Sequence, residues 1–474
     1  MSARYDLVVV GMGSGGMVAS EFAARLGLKV AVAERHRVGG DCLWTGCVPS
    51  KALLASAKVA HHARNAGSFG LAATDAEVDR SEVWRRIRSI RERIAATDDN
   101  PERFASLGVE VCLGDAVVAG PHEVRVGGRL LRTRFILLCT GSRPAEPDIP
   151  GLADAGFLTS ESLFEIEDPP KSIVMIGGGP IAIEMAQGMR RLGMDVSVLQ
   201  KDRGILPRDE PELVAVLQRR LVAEGVGLDV DVETERVTHD AEGKTVFGRA
   251  GGAATSWSAE EILVAVGRRP NIETLGLANV GVETSATGVV VDDRMRTTVP
   301  SIYAAGDTAG RYLFTHSAGH EAVRAVRDMF FPGRGRVGSL VPWCTFTDPE
   351  LAHAGLTEAE AREQIGDAVR AHTFDLAHSD RARADGNEDG LIKVVTGRRG
   401  RLVGAHVLAA AAGEMIHEYA LAITEGLKFT RLANLIHVYP TLSTSTGQLA
   451  AEVVFDRAVR YRNLVRIWKR LPRR

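Results

Sequence analysis

The feature that most limits what this chain can fold into is a repeat. A short apolar strand runs into a glycine-rich turn that opens a helical pattern, and this happens twice. The first copy is Tyr5 to Val10 followed by Gly11-Met12-Gly13-Ser14-Gly15-Gly16; the second is Ser172 to Ile176 followed by Gly177-Gly178-Gly179-Pro180-Ile181-Ala182. Helical periodicity then covers Met17 to Leu26 and Ile183 to Leu192, and a further apolar strand follows each, Lys29 to Ala33 and Asp195 to Leu199. One GxGxxG alone is weak evidence. Two in full strand-turn-helix-strand context, with Gly11 and Gly177 166 residues apart, predict two separate dinucleotide sites. Glycines let backbone N–H groups and a helix N-terminus approach a pyrophosphate, and two bound dinucleotides imply electron relay between them.

At 474 residues the chain holds several domains. Proline and glycine punctuation at Pro144, Pro147, Pro150 and Gly151 closes a first segment, 1–150, and the breaker cluster Gly267-Arg268-Arg269-Pro270-Asn271 closes a second, 151–272. Residues 273–340 return to the first domain, and from Val341 longer strands and helices without fingerprints mark a C-terminal domain, 341–474. With 58 basic against 60 acidic side chains there is no overall field to attract nucleic acid. No apolar run approaches the ~18 residues of a membrane span and no secretory pattern opens the chain, so the expected compartment is the cytoplasm. Five cysteines are too few for a disulfide scaffold, which points to redox-active or metal-binding use.

Two of those cysteines sit in Gly39-Gly40-Asp41-Cys42-Leu43-Trp44-Thr45-Gly46-Cys47-Val48-Pro49-Ser50-Lys51. In a regular helix residues five apart have Cα atoms about 8.6 Å apart, beyond the ~7 Å limit for a disulfide. If Cys42 and Cys47 pair, the chain between them must be distorted, and Gly39, Gly40 and Gly46 allow that. Pro49 suits the first turn of a helix over Ser50 to Ala60, which puts Cys47 at a helix N-terminus that stabilises a thiolate. A metal site would need further ligands, and only His36 lies near, so no metal is expected.

These motifs, in this order and over nearly the whole chain, resemble the pyridine nucleotide-disulfide oxidoreductases, the flavoproteins that include dihydrolipoamide dehydrogenase, glutathione reductase and mercuric reductase. The resemblance implies an α/β fold, with two Rossmann-like dinucleotide-binding domains and a C-terminal α+β dimerisation domain that makes a homodimer. It implies FAD on the first fingerprint, with Gly11, Gly13, Ser14 and Gly16 at the pyrophosphate and Glu34 on the adenosine ribose. Gly40, Lys51, Thr140-Gly141-Ser142, Asp307 of the Ser301 to Asp307 motif, Thr315 and His316 match further flavin contacts. It also implies that Cys42 is the outer thiol exchanging with substrate, that Cys47 is the inner thiolate against the flavin, and that Lys51 and Glu184 form an ion pair beside the ring.

For the nicotinamide cofactor the second fingerprint supplies Gly177, Gly179, Ile181 and Ala182, with Glu184 and Gly267 nearby. An acid ending the second strand would accept the 2′-hydroxyl of NAD, but that position is Gln200, followed by Lys201 and Arg203. NADPH is the expected donor and NADH the alternative.

The chain departs from its relatives near the C-terminus. Disulfide reductases carry a His-Pro there, with an acid five residues later; here Tyr439 precedes Pro440, and Thr444 takes the acid's place. His437, two residues earlier, stands about 6.6 Å further along an extended segment, too far to substitute, and is expected to be structural. Without that base, dithiol oxidation loses about 10²–10⁴-fold. The cysteine wording and Tyr439 look more like mercuric reductase, although the terminal cysteine pair of that enzyme is not found in Lys469 to Arg474. The stretch Arg457 to Arg474 carries eight basic residues and no acid, with Ala458, Tyr461, Val465 and Trp468 on one face. A helix packed on the dimer is favoured over contact with an anionic membrane.

The expected activity is therefore hydride transfer from NADPH through FAD to the Cys42–Cys47 pair, and on to a small-molecule or small-protein disulfide. The rivals are a quinone or metal-ion reductase without obligatory dithiol exchange, a dihydrolipoamide dehydrogenase, and a flavin-bearing scaffold subunit.

Overall fold

The computed structural model describes residues 4–74, 77–331, 336–338, 340–459, 462, 465, 466 and 469. The chain divides into two units, one of residues 1–63, 75–203 and 227–339, the other of 64–74, 204–226 and 340–474.

The first unit contains a seven-stranded sheet in the order Val109–Leu113, Val30–Glu34, Arg4–Val10, Arg129–Leu138, Glu123–Val126, Ala116–Gly120, with Ile302–Ala304 also on Arg129–Leu138. Its central pairs are parallel, Leu7 facing Val30 on one side and Phe135 on the other. Strand Arg4–Val10 is apolar because both faces are covered: Leu7, Val8 and Val9 are fully buried. Each such side chain contributes about 1.5–3 kcal/mol by leaving water. A second, four-stranded parallel sheet, Gly227–Asp229, Asp195–Leu199, Ser172–Ile176, Glu261–Val264, carries the other fingerprint.

The fingerprint helices run Ser14–Arg25 and Pro180–Arg191, starting three residues before their apolar periodicity. The first turns are Ser14-Gly15-Gly16 in one helix and Pro180-Ile181-Ala182, with Ile181 exposed, in the other; neither carries an amphipathic signal, so periodicity detects each helix late. The breaker cluster at 267–271 holds a short strand, Arg268–Pro270, antiparallel to Ser142–Pro144. Proline is tolerated there because it ends an edge strand.

In the second unit a five-stranded antiparallel sheet runs Trp343–Thr345, Glu350–Gly355, Leu402–Ala409, Leu391–Thr396, Arg370–Asp375. Helix Ala412–Thr424 buries Met415, Ile416, Tyr419 and Ala422 against it. Most of the basic stretch from Arg457 onward, Tyr461 and Trp468 included, lies outside the described residues. Among the described residues no helix is long and apolar enough to cross a membrane.

Candidate active site

Backbone geometry explains the fingerprint glycines one by one. Gly11 has φ +97°, and a Cβ there would stand 2.3 Å from the Cys139 carbonyl oxygen; one on Gly16 would stand 1.9 Å from the Gly11 oxygen. Gly177 repeats the first arrangement with φ +114° and the Ala265 oxygen at 2.5 Å. Packing thus demands glycine at those three positions. At Gly179 it does not: a Cβ would meet nothing of the protein within 4 Å. Gly13 and Gly179 are the N-caps of the two helices, neither helix has a side-chain cap or an acid in its first turn, and both N-termini therefore present bare N–H groups. Glycine kept where the chain leaves open space, beside uncapped helix ends, fits the close approach of two pyrophosphates.

The repeat extends to the residue ending each second strand. Glu34 accepts hydrogen bonds from the N–H of Met12, 22 residues earlier, at 2.7 Å, and from His36 N–H at 2.7 Å. Gln200 accepts from Gly178 N–H, also 22 residues earlier, at 2.8 Å, and its amide donates to Asp202 at 2.9 Å. Both side chains lie against their glycine turns. Lys201 and Arg203 are exposed on either side of Asp202. Ala182 is fully buried beneath its helix, Ile181 is exposed, and Gly267 holds φ +130° in open space.

The cysteine segment folds as a broken helix. Gly39 and Gly40 take φ of +106° and +55°, a short helix spans Gly40–Trp44, Thr45 and Gly46 interrupt it, and a long helix begins at Cys47 and runs to Arg64. The interruption supplies the distortion that regular geometry forbids. Both cysteines are free thiols, hydrogen-bonded to each other, and their acidities are driven apart. The bond from Cys42, opposed by burial and helped by Thr315 and by the Lys51 charge, lowers the Cys47 pKa to about 6. The same bond, with burial, pushes Cys42 above the ordinary thiol range. Thr315 Oγ1 lies 3.3 Å from Cys47 Sγ, and Lys51 Nζ is 2.9 Å from a buried carboxylate oxygen of Glu184. Alkylation of the reduced protein by iodoacetamide at Cys47 is therefore expected to rise through a midpoint near pH 6 and level off by neutrality; mass spectrometry of the modified peptide reads it, and a midpoint near the ordinary thiol value of 9 would contradict it.

Two supports of this segment escaped sequence reasoning. Trp44, between the cysteines, donates its indole N–H to Val38 O at 2.8 Å, carries the Arg37 guanidinium over its ring at 3.8 Å, and receives Arg91 Nη1 on its carbonyl at 2.6 Å. Arg91 also pairs with Glu165 at 2.8 Å. Asp41, next to Cys42, is ion-paired with Arg268, which donates to Ser142 Oγ at 2.6 Å and to Ser142 O at 2.9 Å and stands 3.6 Å from Asp307. Ser142 in turn donates to Asp307. Thr140 bonds Asn271 O at 2.7 Å, and Gly141 N–H donates to Thr308 at 3.0 Å. Thus Asp41, Ser142 and Asp307 form one cluster in which Arg268, expected only to break the chain, is the hub, while Thr140 and Gly141 are held by Asn271 and Thr308. The arginine between a strand and Pro270 was the one local signal.

A cleft of about 610 Å³ opens onto Cys42, with Ser14 on one wall and Thr315, His316 and the helix they begin on another. Among the described residues no group of three or more His, Cys, Asp and Glu side chains is placed to hold a metal ion.

In the second unit Tyr439 is exposed and donates its hydroxyl to Asp380 at 2.9 Å, a bond that raises its pKa. His437 Nε2 lies 3.3 Å from both carboxylate oxygens of Glu418, and its ring is so close to the backbone that a Cβ on Gly447 would stand 2.8 Å from Nδ1. The imidazole is thus held between Glu418 and the Gly447 backbone.

Residues 5–322 match the family described as pyridine nucleotide-disulphide oxidoreductase, and residues 341–450 match its dimerisation domain. The chain is 33% identical to dihydrolipoyl dehydrogenase of Bacillus subtilis over 95% of this chain and 98% of that one. It is 32% identical to mercuric reductase of Bacillus cereus over 96% of this chain and 72% of that one. Among solved structures, the Cu(II) complex of the HOCl-induced flavoprotein disulfide reductase RclA from Escherichia coli superposes with a TM-score of 0.84 at 25% identity, covering 95% of this chain and 100% of that one. With two uncapped fingerprint helices, a paired thiol segment and these matches, the chain belongs to the pyridine nucleotide-disulphide oxidoreductases, FAD-dependent enzymes that draw electrons from NAD(P)H.

Proposed function

We propose that this protein is a homodimeric NADPH-dependent disulfide reductase in which Cys42 and Cys47 carry electrons from the flavin to the acceptor. The observation that carries this is the hydrogen-bonded sulfur pair with opposed acidities, one held as a thiolate and the other as a thiol. When bound, FAD supplies a two-electron relay between nicotinamide and sulfur. The Cys42 sulfur attacks the acceptor disulfide, its proton passing to Cys47; the acceptor S–S bond breaks, a mixed disulfide forms on Cys42, and the first thiolate leaves with a proton from solvent. Cys47 then gives up its proton to the second departing sulfur as it attacks Cys42, and the Cys42–Cys47 bond closes. Hydride from NADPH supplies the electron pair that reopens that bond, so one NADPH and one proton convert one disulfide to two thiols.

Four further features shape the reading. Lys51, paired with Glu184, places a cation where it favours the Cys47 thiolate. Tyr439 takes the place of the family's histidine, and its bond to Asp380 keeps it protonated, which suits proton donation in disulfide reduction better than proton removal from a dithiol. A pathway that runs on NADPH and reversible thiols fits a reducing cytoplasm. Lys201 and Arg203 would receive the 2′-phosphate, so the double variant Lys201→Ala/Arg203→Ala is expected to raise KM for NADPH about tenfold, the loss of about 1.4 kcal/mol, while KM for NADH changes little. Equal effects on both cofactors would remove the preference.

A second reading, reduction of a quinone or metal ion straight from the flavin, is favoured by one observation, the absence of the histidine base at Tyr439. Steady-state assays with 4,4′-dithiodipyridine and with a soluble quinone separate the two: turnover of the disulfide supports the proposal, and turnover of the quinone alone overturns it.

A further inference from the structure

The cleft over Cys42 has a charged side that the reaction does not use. Helix Thr315–Phe330 lines it with His316, His320, Arg324 and Arg327, successive steps of four, four and three residues that share one helical face. Arg324 and Arg327 are half-buried, and among the described residues neither guanidinium forms an ion pair. The cleft's one acid, Asp99, answers to a different cation: burial and Asp98 raise its pKa, and the opposing charge is Arg103. His320 is biased to its neutral form by burial and by Arg324, so the positive charge belongs to the two arginines while the imidazole offers hydrogen bonds. Two unpaired, partly desolvated arginines in one cleft carry an anion's recognition chemistry.

The helix also sets a length. Its first residue, Thr315, touches Cys47, and Arg324 and Arg327 lie nine and twelve residues on, about 13 and 18 Å along the axis. Side chains on a helix lean back toward its N-terminus, which brings both guanidinium groups closer to the sulfurs than these rises. Resting on the disulfide-reductase reading, the geometry points to an acceptor class for this cleft: a disulfide bearing a carboxylate or phosphate on a short arm, held by Arg324 and Arg327 while its sulfurs meet Cys42.

Lipoate and lipoamide test this, because they share one dithiolane and one arm and differ only in carboxylate against neutral amide. With NADPH and the flavin-loaded enzyme, kcat/KM for lipoate is expected to exceed that for lipoamide about tenfold at low salt. The ratio should shrink toward one as salt is raised and in Arg324→Ala/Arg327→Ala, and persist in Arg324→Lys/Arg327→Lys, which keeps both charges and guards against a variant that merely folds badly. A wild-type ratio at or below one, or a ratio that the alanine pair leaves unchanged, overturns the inference while the functional reading stands. Turnover of neither compound while 4,4′-dithiodipyridine is reduced overturns the inference alone; turnover of none of the three overturns the functional reading, and the inference with it.

Discussion

Replacing Cys47 with serine is expected to lower NADPH-dependent disulfide turnover by on the order of 10³-fold or more while leaving reduction of the bound flavin by NADPH intact. The reasoning starts from the sulfur pair. Cys47 is the member with the depressed pKa, bonded to Cys42 and to Thr315, and lies at the start of the long helix beside the Lys51 charge. A serine hydroxyl stays protonated there and cannot close a bond to Cys42, so each mixed disulfide formed on Cys42 is left unresolved. Cys42→Ser should lose disulfide turnover to a similar degree for a different reason: the remaining thiolate has no outer partner to hand its electrons to. Stopped-flow bleaching of the flavin by NADPH, measured beside steady-state reduction of 4,4′-dithiodipyridine, reads both halves in each variant. Full disulfide turnover by Cys42→Ser would exclude obligatory exchange through the pair.

The second large effect is on stability and belongs to the C-terminal unit. Lys393 is fully buried in strand Leu391–Thr396, with Nζ 2.8 Å from Glu210, 2.9 Å from Glu212 and 2.8 Å from Glu358. Burial works against its charge, yet the hydrogen bonds to Glu210, Glu358 and Glu212 outweigh it and raise its pKa above the usual lysine value. Lys393→Ala strands the equally buried Glu210 and is expected to destabilise the protein by about 3–5 kcal/mol, whereas Lys393→Met/Glu210→Gln, which removes both buried charges, recovers much of it. Denaturant midpoints of the two variants decide this; a loss below about 1 kcal/mol in the alanine variant would mean that the carboxylates find water.

The same cluster fixes the sign of the pH dependence. His406 and His353 are buried, donate Nε2–H to Leu356 O and Gly355 O, and have pKa values lowered by burial to about 4 and about 3. Unfolding frees them to take protons near 6.5, so stability falls as pH drops below that value. The raised pKa of Lys393 works at the other end: its contribution is complete below 10.5 and is lost as pH climbs through the folded value. Maximum stability is expected between about pH 7 and 10.

The parts of this site that the sequence disclosed are those with a local physical requirement. Gly11, Gly16 and Gly177 are forced by carbonyl oxygens within 2.5 Å of where a Cβ would go, and the Cys42 to Lys51 segment needs its glycines to leave regular helix. The resemblance then brought in Lys51, Glu184, Ser142 and Asp307, which no spacing would have joined. What stayed hidden acts across the chain: Arg268 and Asp41 are 227 residues apart, and Arg91 reaches Trp44 over 47. Lys393 was invisible for another reason. In an antiparallel strand a lysine reads as the solvent-facing side, but here both faces are covered, and only the distant Glu210 shows why an ammonium can stay there.

Anaerobic titration of the oxidised, flavin-loaded enzyme with NADPH, followed by a count of accessible thiols, bears most directly on the account. If Cys42 and Cys47 form a second two-electron store beside the flavin, the protein takes up two hydride equivalents per flavin and gains two thiols, and neither cysteine variant takes up the second equivalent. Uptake of a single equivalent with no thiols gained would contradict it.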